Sequence, residues 1–267
     1  MIKFFRHIRQ KLLMENKTGK YFKYAIGEIV LVVIGILIAL QINNWNEERK
    51  DRKLENEYIA RLKGEMLKNL ESSTDQILYS SFQIENVDKL LSALSGDTVY
   101  SNPEPLAVAI EHVGWLNSVP YVNDVWNELI NNGNIRLLKN DSLRDNLTTF
   151  HSQMIVVLNN HEEWNGNNLG YRRLAGDILD PQIREQIALN LVPIRYKGHL
   201  TNLPTQQYLV NKLESLEGLN GYLADIKMGQ RTNILMFERL IDKIEETIKI
   251  CNKELKNNES TTMYNRN

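Results

Sequence analysis

The chain contains one cysteine, Cys251, so no disulfide can form within it and its stability has to come from buried side chains. Proline is scarce, with 6 in 267 residues, and so is glycine, with 14. A sheet with many tight turns would need more of both; plentiful Leu, Ile, Lys, Glu and Asn point instead to long helices. Gly-rich phosphate loops, Gly-x-Ser-x-Gly elbows and kinase motifs are all missing, so the sequence nominates no catalytic residue and calls for no cofactor. Net charge is also nearly missing, at −1, but the balance hides a division. Residues 1–23 carry Lys3, Arg6, Arg9, Lys11, Lys17, Lys20 and Lys23 against Glu15, a net +6, which leaves −7 for the remainder. A cation excess confined to a short arm argues against nucleic acid as a partner, because that would need the excess on the large domain.

One long apolar run is present. Residues 29–40 read IVLVVIGILIAL without a polar side chain, a length that by itself suits a buried core helix as well as a membrane span. The flanks favour the span. Tyr24 and Trp45 stand 21 residues apart. At about 1.5 Å per helical residue that is roughly 32 Å, close to the ~30 Å hydrocarbon layer, so the pair suits interfacial anchoring. Glu28 is costly within a bilayer, on the order of 3 kcal/mol, unless it reaches the basic end near Lys20 or Lys23. A cleaved signal peptide is the competing reading, and it lacks a small-x-small site after Leu40. Within the span, Gly35 and Ala39 form a small-xxx-small pair that would let two helices approach, and Glu28 and Gln41 would add hydrogen bonds to a homo-oligomer. The basic tail is expected to stay cytoplasmic, which places the chain in the inner membrane with its C-terminal domain in the periplasm. Residues 2–13, with Ile2, Phe5, Ile8 and Leu12 near one face, suit an interfacial helix.

Beyond Trp45 the apolar residues recur at helical spacing. A helix is expected from about residue 46 to 95, with a possible bend at 71–74, followed by short helices at about 104–116 and 122–132. Asn140-Asp141-Ser142 looks like an N-cap for a helix running to about residue 179, with Leu143, Leu147, Phe150, Met154 and Val157 as its stripe. A short helix at 183–191 and a long one over 205–256, broken near 217–221, complete the pattern. The expected fold is all-α: one N-terminal transmembrane helix continuing into an elongated antiparallel helical bundle. The parts are a basic cytoplasmic tail (1–23), a transmembrane helix (24–45), a helical bundle domain (46–256) and a disordered tail (257–267).

The string FFRHIRQKLLMENKTGKYFKYAIGEIVLVVIGILIALQINNWNEERK resembles the start of a family of single-pass membrane proteins from Bacteroidota-type bacteria whose domain has no known function. A weaker similarity returns in VWNELINNGNIRLLKNDSLRDNLTTF, residues 125–150. The resemblance implies the topology, and implies that Glu28 and Gln41 are family features. It supplies no activity.

Candidate sites are few. Asp124 and Glu128 stand one helical turn apart beside Trp126, an arrangement that suits a ligand patch, although a solvated helix face has the same pattern. His161-Glu162-Glu163-Trp164 lacks the second histidine of a zinc-protease helix, because the position four residues on is Asn165. His151 and His161 lie ten residues apart on different faces, so no metal set is assigned. Cys251 falls on an apolar stripe and reads as a small buried hydrophobe. These features favour a membrane-anchored helical interaction or sensor-like protein with the lipid bilayer and an unidentified protein as partners. A metal-dependent enzyme and an envelope-organising protein are the alternatives.

Overall fold

The computed structural model describes residues 18–99, 101–189, 191–192, 195–196 and 198–264. The expected interfacial helix at residues 2–13 and the side chain of Tyr24 lie outside them. The chain divides into two compact units, Met1–Glu57 and Tyr58–Asn267. Seven α-helices are present among the described residues: α1 (Thr18–Leu94), α2 (Glu104–Val113), α3 (Asp124–Asn131), α4 (Asp141–Ala175), α5 (Pro181–Leu189), α6 (Gln206–Glu214) and α7 (Leu219–Tyr264). The fold is helical as expected, with one departure: a small antiparallel ribbon pairs Leu191 with Tyr196 and Val192 with Arg195. Residues 71–74 do not interrupt α1. Their hydroxyls find acceptors that leave the helix intact: Thr74 donates to the carbonyl of Leu70 one turn back, and Ser72 to that of Pro120.

In the first unit, an 18-residue window of α1 has a mean hydropathy of 2.3, and none of it is buried. This is a helix long and apolar enough to cross a membrane. Beyond it the helix becomes hydrophilic, with Asn43 donating to Glu47 and Lys53 beside Glu57 at i,i+4 spacing.

In the second unit, α1, α4 and α7 pack as a helical bundle in which α7 runs antiparallel to the other two. The buried residues of α1 run Ile59, Leu62, Met66, Asn69, Ser73, Gln76, Ser80, Gln83, Val87 and Leu90, alternately three and four apart. Those of α7 run Leu219, Leu223, Ile226, Gln230, Asn233, Phe237, Leu240, Ile244, Thr247 and Cys251 with the same alternation. A 3.5-residue repeat keeps one face of a helix turned to its neighbours, which is why three long helices can share one interior. The side chain of Asn233 donates to Ser80 Oγ, and Lys227 pairs with Asp88, so α7 runs antiparallel to α1.

The helix ends follow local chemistry. Asn140 caps α4 by accepting from Leu143 N at 3.0 Å, and Thr205 caps α6 by accepting from Tyr208 N at 3.3 Å. Gly133 at φ +67° turns α3 into a short 3-10 helix (Asn134–Leu137), and Gly218 at φ +84° makes the break expected between α6 and α7.

The apolar interior falls into two clusters. One joins Tyr58, Ile59, Leu62 and Met66 of α1 to Leu129, Phe150, Met154, Phe237 and Ile244. The other joins Val87 and Leu90 to α2, Tyr171, Ile183, Leu209 and Leu223. Between them the interior is polar.

Candidate functional site

The polar middle exists because an extended strap, residues 114–123, runs between α1 and α4. Backbone inside a protein must have its polar groups satisfied, and a strap belonging to neither helix nor sheet cannot satisfy its own. The two helices do so with side chains, which also take up the last carbonyls of α2. From α1, Gln83 donates to the carbonyl of His112 at 3.0 Å, Tyr79 to that of Trp115 at 3.1 Å, Gln76 to Ser118 at 3.0 Å and Ser72 to Pro120 at 2.7 Å. Asn69 makes two bonds with one residue: its amide donates to the Val122 carbonyl at 2.7 Å, and its oxygen accepts from Val122 N at 2.9 Å. From α4, Tyr171 donates to the Ile110 carbonyl at 3.0 Å, Asn168 to Val113 at 2.9 Å and Asn165 to Asn117 at 3.1 Å. His161 Nε2 lies 3.0 Å from the same Asn117 carbonyl. A carbonyl only accepts, so the His161 proton sits on Nε2.

This belt is what the reading of the sequence missed. The signal was present as a gap: the apolar stripe of α1 stops at Met66 and resumes at Val87, with Asn, Ser and Gln at the unchanged three-and-four spacing between. Gln230 and Asn233 interrupt α7 in the same way, and His161 and Asn168 interrupt α4.

Beside the strap's end, the first turn of α3 is held from another helix. The side chain of Asn123 makes no cap bond. Glu65 of α1 takes that place, its carboxylate accepting from Val125 N at 2.7 Å. Burial pushes the Glu65 carboxyl above its ordinary range, opposed by the backbone N–H groups of Val125 and Trp126.

The expected ligand patch is divided among different roles. Asp124 is exposed at the start of α3. Trp126 is half-buried and stacks on His151, with ring centroids 4.5 Å apart and planes at 12°. Glu128 is taken up by α1: it pairs with Arg61 and accepts from Tyr58 Oη at 2.9 Å. Hydrogen bonds from Arg61 first, and then from Tyr58, hold its carboxyl below the usual range. His151 is buried and lies 2.5 Å through Nδ1 from Tyr121 Oη; burial pushes its pKa down to about 3, and that of Tyr121 up to about 12. Thus His151 and His161 serve separate contacts. No group of three or more His, Cys, Asp or Glu able to hold a metal is found among the described residues. Cys251 is buried as the last member of the α7 stripe, and its thiol is pushed up to about 12 by that burial.

The residues singled out in the apolar part of α1 are all on its surface. Gly35, Ala39, Gln41 and Trp45 are exposed, and Glu28 is half-exposed. A Cβ added at Gly35 would meet nothing within 4 Å.

The family described as "Family of unknown function (DUF6090)" matches residues 28–169, more than half of the chain, and the chain belongs to it. The match spans most of α1, all of α2, the strap and α3, and α4 nearly to its end, so it includes both helices that grip the strap. No curated protein and no solved structure matches the chain.

Proposed function

We propose that this member of the DUF6090 family is a membrane-anchored interaction or sensor-like protein, with one membrane-spanning helix and an extracytoplasmic bundle that engages a partner. The observation carrying the reading is the surface of α1. Between Ile26 and Ile42 every large apolar side chain is 46–63% exposed. Leaving such groups half in water costs about 1 kcal/mol apiece, on the order of 10 kcal/mol together, as much as the whole stability of an ordinary domain. A lipid bilayer removes that cost. Gly35 and Ala39 supply a flat face on which a second copy of the helix would fit.

The bundle supports interaction more than chemistry. His151 is bonded to Tyr121 and His161 to the strap, and Glu128 is engaged by Arg61. The exposed start of α3, around Asp124 and beside Trp126, is the surface we assign to a partner. A photocrosslinking residue at Asp124 in native membranes tests this. A discrete adduct there, with none from the exposed Glu245 of α7, supports it. Absence of an adduct from either position overturns the interaction reading, and stoichiometric metal lost on His151→Ala or Glu128→Gln would favour an enzyme instead.

A further inference from the structure

The polar belt holds more hydrogen-bonding capacity than the protein itself satisfies. Eight of the eleven buried side-chain atoms without a protein partner among the described residues fall in it: Ser73 Oγ, Gln83 Oε1, Asn86 Oδ1, both ring nitrogens of His112, Asn117 Oδ1, Gln230 Oε1 and Asn233 Oδ1. Each unsatisfied polar group in a folded interior calls for a physical explanation, because leaving it bare costs about 1–3 kcal/mol.

The geometry narrows the explanation. With Asn233 opposite Ser80 and Lys227 opposite Asp88, Gln230 stands level with Gln83. Their free atoms are both amide oxygens, and two acceptors cannot bond to each other. The orientations of Gln83 and Asn86 are fixed, since each already donates through its nitrogen to a backbone carbonyl, of His112 and Phe82 respectively. Turning either amide would set oxygen against oxygen. At the same level the ring of His112 is 1% exposed, held edge-on by Phe82 and stacked by Trp115, and neither of its nitrogens has a partner. A neutral imidazole needs one donor and one acceptor. A partner that fits must therefore donate to amide oxygens and both donate and accept at His112, as water does.

We propose that the polar belt is an internal water site, in which ordered water molecules between α1, α2 and α7 bridge Gln83, Asn86, Gln230 and Asn233 and satisfy His112. Interiors hold on the order of one such water per 27 residues, each with about three polar partners, and this site offers partners in that number. The water layer lies between the two apolar clusters. It explains how three helices tolerate polar residues at consecutive interior positions, and it ties the helices in one register, since a slip would set these amides against leucines.

Synchrotron hydroxyl-radical footprinting of the full chain in detergent tests the proposal, because radicals form from bound water beside the residues they oxidise. His112 should be modified at least ten-fold faster than Phe150 and Phe237, which are equally buried but lie in the apolar cluster. Protection of His112 equal to that of Phe237 would overturn the proposal. So would a crystal structure of the full chain with Gln230 bonded directly to Gln83, or with a metal ion in place of water.

Discussion

Replacing Asn69 by alanine removes the tightest hold on the strap. Asn69 is fully buried and makes two hydrogen bonds with Val122, accepting from N at 2.9 Å and donating to O at 2.7 Å. Each bond contributes about 1 kcal/mol net, and deletion leaves a backbone amide and carbonyl without partners, at about 1–3 kcal/mol each. Some of that returns if water enters the space vacated. A loss of about 3 kcal/mol is expected, which for a domain of this size lowers Tm by roughly 6–12 °C. Urea unfolding of the full chain in nonionic detergent, followed by tryptophan fluorescence, measures it, with Trp115 on the strap and Trp126 beside it as reporters. Thr74→Ala is the control, because its hydroxyl only bonds back to Leu70 within the same helix. A loss below about 0.5 kcal/mol for Asn69→Ala, no greater than for the control, would refute the view that these side chains hold the strap in place.

His112 and His151 have pKa values pushed down by burial to about 4 and about 3, so the unfolded chain binds their protons first. Their stabilisation is complete above pH ~6.5 and is lost as pH falls toward about 4, on the order of 3 kcal/mol for His112; unfolding midpoints from pH 8 to 4 should show that slope, and His112→Gln should flatten it. The Cys251 thiol, buried and pushed up to about 12, should not react with a thiol reagent at pH 8 until the protein is denatured, and stoichiometric labelling of the native chain would contradict its placement. A methyl at Gly114 would come 2.9 Å from Arg172 Cβ and 3.2 Å from its backbone Cα, so Gly114→Ala should cost about 1–3 kcal/mol by forcing the strap away from α4, read as a lowered Tm.

Most helix positions were legible because they rest on local chemistry. Asn140 and Thr205 cap where a side-chain oxygen meets a free N–H, Gly133 and Gly218 turn where positive φ is needed, and the stripe of α4 follows helical periodicity. Residues 71–74 misled because serine and threonine are weak helix formers in isolation, whereas here Ser72 bonds across to Pro120 and Thr74 folds back on Leu70. The strap was not legible, since what makes it stable lies 36 to 53 residues away on α1 and α4. Trp126 and Glu128 drew notice as a patch for the right reason, proximity on one helix, yet their partners are His151 and Arg61, which no local pattern pairs with them. Polar residues at interior spacing do not register in an apolar pattern, yet here they continue the stripe against a polar neighbour.

The proposed topology is a helix that crosses a membrane once, with the bundle on the far side from the basic arm. Single-cysteine labelling in a Cys251→Ser background tests this most directly, with a membrane-impermeant maleimide applied to cells whose outer envelope has been made permeable. Asp97→Cys, in the exposed turn after α1, should label while the inner membrane is closed, and Lys20→Cys only after it is opened. Labelling of Lys20→Cys but not Asp97→Cys before opening, or of neither position together with recovery of the chain in the soluble fraction, would contradict it.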